Sequence, residues 1–342
     1  MIERGTGNLL EADVEALVNT VNTVGVMGKG IALQFKKAFP ANFTAYAKAC
    51  QTGEVQPGRM FTFDLGRLSN PRYIINFPTK RDWKHKSRLK DIESGLVALV
   101  EDIKRLGISS IALPPLGCGN GGLNWSEVRP RIEAALAAVP NVRVLLFAPS
   151  GAPEATTMPI TTKRPAMTPG RAAVVAVMSR YAEVGYSLTL LEVQKLLYFL
   201  QTAGEDLKLD FAKAEYGPYA DTLRHVLSRM DGHFIRGWGD GANKPDTMLE
   251  LVPDAVGEAD EFLAQKAETH DRLQRVNDLI EGFETPFGME LLSTVHWVTV
   301  HEGAASAAQA VELTHRWNAR KATFSAEHIA AAWSVLKKKG WA

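Results

Sequence analysis

Over its first 150 residues the chain alternates short apolar runs with longer stretches in which apolar residues recur every three or four positions. The runs Ala16–Asn19, Met60–Asp64, Tyr73–Asn76, Ser110–Leu113 and Val142–Ala148 have the length and composition of strands. The segments Ile31–Phe39, Asn42–Ala49, Leu89–Leu106 and Trp125–Ala138 carry the helical period. This alternation predicts a three-layer α/β domain over residues 1–150, a mixed sheet between helices. Residues 151–169 hold Gly151, Pro153, Pro159, Pro165 and Pro169 with five threonines and few large apolar groups, the composition of a linker. Residues 170–342 are helical in period almost throughout, with a strong apolar set at Leu188, Leu191, Val193, Leu196, Leu197 and Leu200 and an irregular patch at Asp231–Pro245. A second, mainly α-helical domain is expected there.

Within the first domain, the run Ile74-Ile75-Asn76-Phe77-Pro78-Thr79-Lys80 places a lysine directly after a buried strand. Pro78 is expected to stop that strand's ladder, leaving Lys80 at the C-terminal mouth of the sheet. Ligands bind at that edge in open α/β folds. A lysine held there serves as an anion clamp or as a nucleophile.

Two glycine-rich loops follow strands and open into helices. The first runs from Asn19 through Asn22, Gly25, Gly28 and Lys29 to Gly30; the second is Pro114-Pro115-Leu116-Gly117-Cys118-Gly119-Asn120-Gly121-Gly122. Glycine lets the backbone approach a ligand closely, and a helix N-terminus points free N–H groups at an anion. Two such loops at strand ends fit a diphosphate gripped from both sides. Neither loop has the GxxxxGK[ST] or GxGxxG spacing, which argues against an ordinary ATPase or dinucleotide oxidoreductase.

Composition narrows the rest. With 342 residues the chain is long enough for two domains, and its net charge of +1 singles out no partner. Only Cys50 and Cys118 are present, without zinc-ligand spacing, and the eight histidines form no HExxH-type cluster. No metal and no cofactor are expected. There is no membrane-length apolar stretch and no apolar N-terminal run, so the expectation is a cytoplasmic, reduced protein without structural disulfides. Cys118 lies between glycines with no histidine nearby in sequence, which favours a small packed side chain over a nucleophile. His296, His301 and His315 are irregularly spaced on helical segments, and with Trp125 and Trp238 they are expected to be packing or surface residues.

Taken together, Gly7-Asn8-Leu9-Leu10, Ala16-Leu17-Val18-Asn19-Thr20-Val21-Asn22, Gly28-Lys29-Gly30 and Leu116-Gly117-Cys118-Gly119 resemble the macrodomain of ADP-ribose-binding proteins. With Asn76-Phe77-Pro78-Thr79-Lys80 the likeness is closer still to the DarG antitoxins of DarT–DarG toxin–antitoxin pairs. The resemblance covers about residues 1–150. It implies a macrodomain fold, an ADP-ribose cleft, and removal of ADP-ribose from thymidine bases of single-stranded DNA. It also implies the site. Lys80 matches the catalytic lysine. Asn8 falls at the adenine end, Asn22 at the distal ribose, and Gly28, Lys29 and Gly30 at the first phosphate loop, with Leu9 and Asn19 also among the ADP-ribose-binding candidates. Thr79 accompanies the lysine, and Gly117, Cys118, Gly119, Asn120, Gly121 and Gly122 form the second loop. Some lysine-dependent macrodomains carry an aspartate near the position of Gly121. The second loop here has no carboxylate, so Lys80 acts without that partner.

A lysine that breaks an N-glycosidic bond must be neutral when it attacks. Desolvation, and the nearby Arg81, are expected to favour that form. From Lys80 to Lys90 there are six Lys or Arg residues against Asp82 alone, with Trp83 and His85 among them. Basic residues around an aromatic suit single-stranded nucleic acid, which makes Arg81, Trp83, Lys84 and Lys86 the DNA-binding candidates. The rival readings are a non-catalytic ADP-ribose reader and an ADP-ribosyl hydrolase acting on protein.

In the second domain, Val193-Gln194-Lys195-Leu196-Leu197-Tyr198-Phe199 and Ala214-Glu215-Tyr216-Gly217-Pro218-Tyr219 resemble antitoxin domains of the Panacea type. That implies direct binding and neutralisation of a partner, a DarT-like ADP-ribosyltransferase toxin. Asp246 to Glu284 holds eleven acidic residues against three Lys or Arg, a surface able to compete with DNA for a basic groove.

Overall fold

The computed structural model describes residues 1–182 and 188–342, and the helical period read across 183–187 lies outside them. The chain forms two compact units: Met1–Lys163 with Gly239–Ala242, and Arg164–Trp238 with Asn243–Ala342. The division falls inside the stretch expected to be a linker. Residues 151–163 are tied to the first unit: Thr161 donates from its backbone N to Lys37 O at 3.0 Å and from Oγ1 to Ala38 O at 2.8 Å, and Met158 is buried.

The first unit contains β1 (Ile2–Gly5), β2 (Ala16–Val21), α1 (Gly30–Ala38), α2 (Pro40–Gln51), β3 (Phe61–Asp64), β4 (Tyr73–Pro78), α3 (Leu89–Leu106), β5 (Ser110–Leu113), α4 (Trp125–Leu136) and β6 (Arg143–Phe147). The sheet order is β1-β6-β5-β2-β4-β3, parallel except for β3 against β4. This is the expected mixed sheet. All six residues of β4 are buried, as a central parallel strand covered on both faces requires. Alternate residues of β2 divide between two apolar layers. Ala16 and Val18 pack toward Ile92, Leu96, Leu99, Val128 and Ile132, while Leu17 packs with Leu9, Leu10, Phe35 and Ile74. Helix α3 buries one face and ends at Gly107, whose φ of +65° gives the left-handed turn that glycine adopts freely.

Three expectations change. The first strand, Ile2–Gly5, has too few apolar residues to stand out in the sequence; it is an edge strand paired with β6. Helix α2 begins at Pro40, two residues before Asn42, because proline is pre-set for the first helical position. Strand β4 continues through Pro78, which pairs with Val21. The backbone N–H groups of Thr79 and Lys80 then both donate to Val21 O, at 2.9 and 3.3 Å.

The second unit is mainly helical: α5 (Pro169–Ala182), β7 (Leu188–Thr189), α6 (Leu190–Thr202), β8 (Ala212–Ala214), β9 (Gly217–Tyr219), α7 (Leu223–Met230), β10 (Ile235–Arg236), β11 (Met248–Leu251), α8 (Pro253–Leu263), α9 (Ala267–Ile280), α10 (Pro286–Val300), α11 (Ala307–Trp317) and α12 (Ala326–Lys338). Its minor β content is a small sheet β10-β11-β7 and the hairpin β8–β9. Every residue of α6 from Leu190 to Leu200 is buried, so it is a central helix rather than a surface one. Thr189 and Glu192 start it with a reciprocal capping box.

Candidate functional site

Because β5, β2 and β4 are neighbouring parallel strands, their C-terminal ends share one sheet edge. The first glycine loop leaves β2, Lys80 follows β4, and the second glycine loop leaves β5. The chain goes from β2 to β4 on one side of β2, then through α3 to β5 on the other. Such a reversal opens a ligand crevice between successive crossovers.

Asn22 folds the first loop. Its Oδ1 accepts from the backbone N–H groups of Val24 and Val26 at 3.0 and 3.2 Å, and its Nδ2 donates to Val26 O at 2.5 Å. Tyr46, fully buried on α2, donates its hydroxyl to Asn22 O at 2.6 Å and anchors the loop from behind. Gly28 and Lys29 are exposed, and α1 starts at Gly30 with no side chain capping it. Beneath the loop lies a buried amide relay. Asn19 Nδ2 donates to Asn76 Oδ1 at 3.0 Å, and Asn76 Nδ2 to Asn42 Oδ1 at 2.7 Å. Asn19 is 0% exposed, so its part is to support the loop from below. Thr79 is likewise buried against β2. Asn8 caps the short turn Leu9–Glu11 through Leu10 N at 3.1 Å, and its buried Nδ2 has no protein partner. An unpaired buried donor is costly unless a ligand supplies the acceptor.

The second loop is built tightly. Gly117 and Gly122 have φ of +71° and +75°. A Cβ on Gly121 would stand 2.2 Å from Gly117 O and 2.3 Å from Ser87 Oγ. Ser87 N donates to Gly121 O at 2.9 Å, which joins the basic run to this loop. A Cβ on Gly119 would meet nothing within 4 Å. Cys118 Sγ contacts Leu116 O at 3.5 Å, and burial pushes its thiol up to about 11, which suits a packed residue and not a nucleophile.

Lys80 is half-buried between these loops, and its Nζ donates to Asn120 O. Burial lowers the pKa of its ammonium. Arg81 does not face it as a free charge. Its guanidinium grips Asp91 through Nη2–Oδ1 at 3.0 Å and Nε–Oδ2 at 3.3 Å. Arg81 O accepts from Thr23 Oγ1 at 2.6 Å, a tie to the first loop. Of the other basic candidates, Trp83 is 53% exposed, Lys84 Nζ lies 5.2 Å from the centre of its ring, and exposed Lys86 runs alongside Gly122. Trp83, Lys84 and Lys86 therefore present an aromatic–cationic surface beside the cleft.

The structure adds residues that motif reading did not single out: Tyr46, Asn42, Ser87 and Asp91. Ser87 and Asp91 lie within or just after the basic run, where burial of a polar residue was the available signal. Tyr46 and Asn42 carry no local pattern that marks them.

In the second unit, the two motifs set apart in sequence meet. Lys195 Nζ donates to Pro218 O at 2.6 Å, and Gln194 exchanges hydrogen bonds with the backbone of Ala220 at 3.2 and 3.0 Å. Burial, and then the neighbouring Lys321, bring the Lys195 ammonium down to about 7. Lys321 is itself paired with Glu290, which also accepts two bonds from Arg320 at 2.8 Å. A cavity of about 280 Å³ opens beside Lys195, Leu190 and Tyr216. His296 is buried on Tyr198, His315 contacts Phe324 O, and Trp238 is 4% exposed, all packing roles.

Two glycine loops flanking a helix N-terminus and a desolvated lysine at one edge of a six-stranded mixed sheet define a macrodomain. Residues 18–132 match the Macro domain family. The chain is 53% identical over 335 residues to a DNA ADP-ribosyl glycohydrolase of Thermus aquaticus, covering 98% of this chain and 92% of that protein. It is 45% identical over 339 residues to the protein of that name in Mycobacterium tuberculosis, covering 94% of each. Over 139 residues, 36% of each chain, it is 40% identical to a DNA ADP-ribosyl transferase–DNA ADP-ribosyl glycohydrolase fusion protein of Thermosipho africanus. The chain belongs to the DNA ADP-ribosyl glycohydrolase family, a family of hydrolases.

Proposed function

We propose that the first unit removes ADP-ribose from thymidine bases of single-stranded DNA, with Lys80 as the reacting amine. The observation that carries this reading is the half-buried Lys80 amine, its pKa lowered by burial, between two glycine loops. Hydrolysis adds water across the bond from the anomeric carbon to the base nitrogen. The nitrogen regains a proton and the sugar carbon gains a hydroxyl. A neutral amine attacks the anomeric carbon, or the ring-opened aldehyde as a Schiff base, and water then releases it. The loops grip the diphosphate largely through backbone N–H groups, with Gly28 and Lys29 on one side and Gly117–Gly122 on the other, the Gly30 N–H being held by Asp240 O at 2.8 Å. Trp83, Lys84 and Lys86 stack on and attract the flanking single strand.

The second unit, on this reading, binds and silences a cognate DNA ADP-ribosyltransferase toxin. Exposed Asp254, Asp260, Glu261, Asp271 and Asp278 on α8 and α9 offer an acidic surface to its basic groove. Prevention by one unit and repair by the other make the chain an antitoxin. The deciding assay is incubation of the protein with an ADP-ribosylated single-stranded oligonucleotide. Release of free ADP-ribose is expected; binding without release would make the first unit a reader. Release from ADP-ribosylated protein but not from DNA would make it a protein hydrolase.

A further inference from the structure

We propose that Asn120 is the positioning residue for Lys80: its main-chain carbonyl orients the amine while its side chain fills the space beside the first glycine loop at Gly30. The inference rests on the reading of Lys80 as the reacting amine. Three groups from distant parts of the chain converge here. Lys80 Nζ, at the mouth of β4, donates to Asn120 O in the second loop. The Asn120 side-chain nitrogen lies 3.0 Å from the point a Cβ on Gly30 would occupy, at the start of α1. One residue of the second loop thus holds the lysine and stands beside the start of the first loop's helix. A diphosphate that draws the two loops together would reposition Asn120, and Lys80 with it.

The chemistry of the acceptor matters. A carboxylate beside Lys80 would orient it and also stabilise its ammonium form. A carbonyl dipole orients the amine through one N–H without supplying a full negative charge, so the effect of desolvation survives. No Asp or Glu stands between Gly117 and Asn124. The acids nearest in sequence to Lys80 have other partners: Asp91 holds Arg81, and Asp82 accepts from Lys84 N at 2.9 Å. The cations Lys29 and Lys86 are exposed on the first loop and the basic run. Asn120 therefore supplies direction without charge, where a carboxylate would supply both.

Asn120 is exposed and does not have a left-handed backbone, so replacements there leave the fold unstrained. The test uses the full chain as wild type, Asn120→Asp and Asn120→Ala. One readout is the pH profile of ADP-ribose release from an ADP-ribosylated single-stranded oligonucleotide. The other, independent of turnover, is the NMR titration of the Lys80 side chain in lysine-labelled protein, assigned with Lys80→Arg. Asn120→Asp is expected to raise the Lys80 pKa by about one unit and to move the acid limb of the profile upward equally. Asn120→Ala is expected to lower kcat on the order of 10–100-fold, while ADP-ribose affinity by calorimetry stays within about threefold because backbone donors supply the grip. An unchanged Lys80 titration in Asn120→Asp, or wild-type kcat in Asn120→Ala, overturns the proposal. If the wild type releases nothing, the hydrolase reading falls, and the Lys80 titration still decides whether Asn120 governs the amine.

Discussion

Two lysines, one in each unit, share an unusual chemistry and differ in what surrounds them. Lys80 and Lys195 each donate to a main-chain carbonyl, and burial lowers the pKa of each. Lys195 is 1% exposed and pinned to Pro218 O, and although it borders a cavity of about 280 Å³, a Cβ on Gly217 would stand 3.5 Å from Nζ and 2.9 Å from Thr294 Oγ1. Lys80 stays half-buried between two loops whose glycines leave room, and Gly119 faces open space. Desolvation alone makes a lysine less basic. An approach for substrate, with donors placed for the substrate's charge, makes it a reaction site. By that measure Lys195 is a structural tie between α6 and the hairpin, and Lys80 has the setting that the proposed reaction requires.

The contrast is sharpest for Lys80→Ala. Turnover is expected to fall about a thousandfold or more, since the proposed reaction uses the Lys80 amine as its nucleophile. Affinity for ADP-ribose by calorimetry should change little, because the proposed grip uses loop backbone N–H groups. Growth rescue against an active toxin by this full-length variant should persist through the second unit. Full activity in the variant would remove Lys80 from the chemistry.

Gly119→Glu comes next. The position is unstrained and open, so the protein should fold, and a carboxylate there should meet the diphosphate. ADP-ribose affinity is expected to drop on the order of a hundredfold from like-charge contact. An unchanged affinity would mean that the second loop is not the phosphate site.

The smallest effect belongs to Lys195, and its sign follows from proton counting. Folded, its amine holds a proton only below about 7, whereas the ordinary value is 10.5. Between those values the unfolded chain binds more protons than the folded one, so this group makes stability rise with pH across that window. Urea unfolding between pH 7 and 9 should show the rise, and Lys195→Met should flatten it by about 1–2 kcal/mol. ADP-ribose release should be unaffected. A variant with the wild-type pH slope would show that Lys195 keeps its proton when folded, and loss of ADP-ribose release would tie this group to the chemistry of the first unit.

What the sequence determined by itself was local. Strand, glycine loop and helix in succession placed both loops and Lys80, because period and glycine content act over neighbouring residues. The same reading identified Trp83, Lys84 and Lys86 as a basic, aromatic surface. It could not give the edge strand Ile2–Gly5, whose membership depends on β6 more than 130 residues away. Nor could it show that residues 151–163, flexible by composition, are tied down by Lys37 and Ala38.

Tertiary structure decided the partners. Arg81, expected to bear on Lys80, is neutralised by Asp91; Lys80 finds Asn120 O, and Lys195 finds Pro218 O. In each case the sequence gives the charge and the face on which it lies. Which group meets it depends on sheet order and helix packing, set by burial of apolar surface over the whole unit. A pattern of apolar positions specifies that a face is covered, and only the folded chain specifies what covers it.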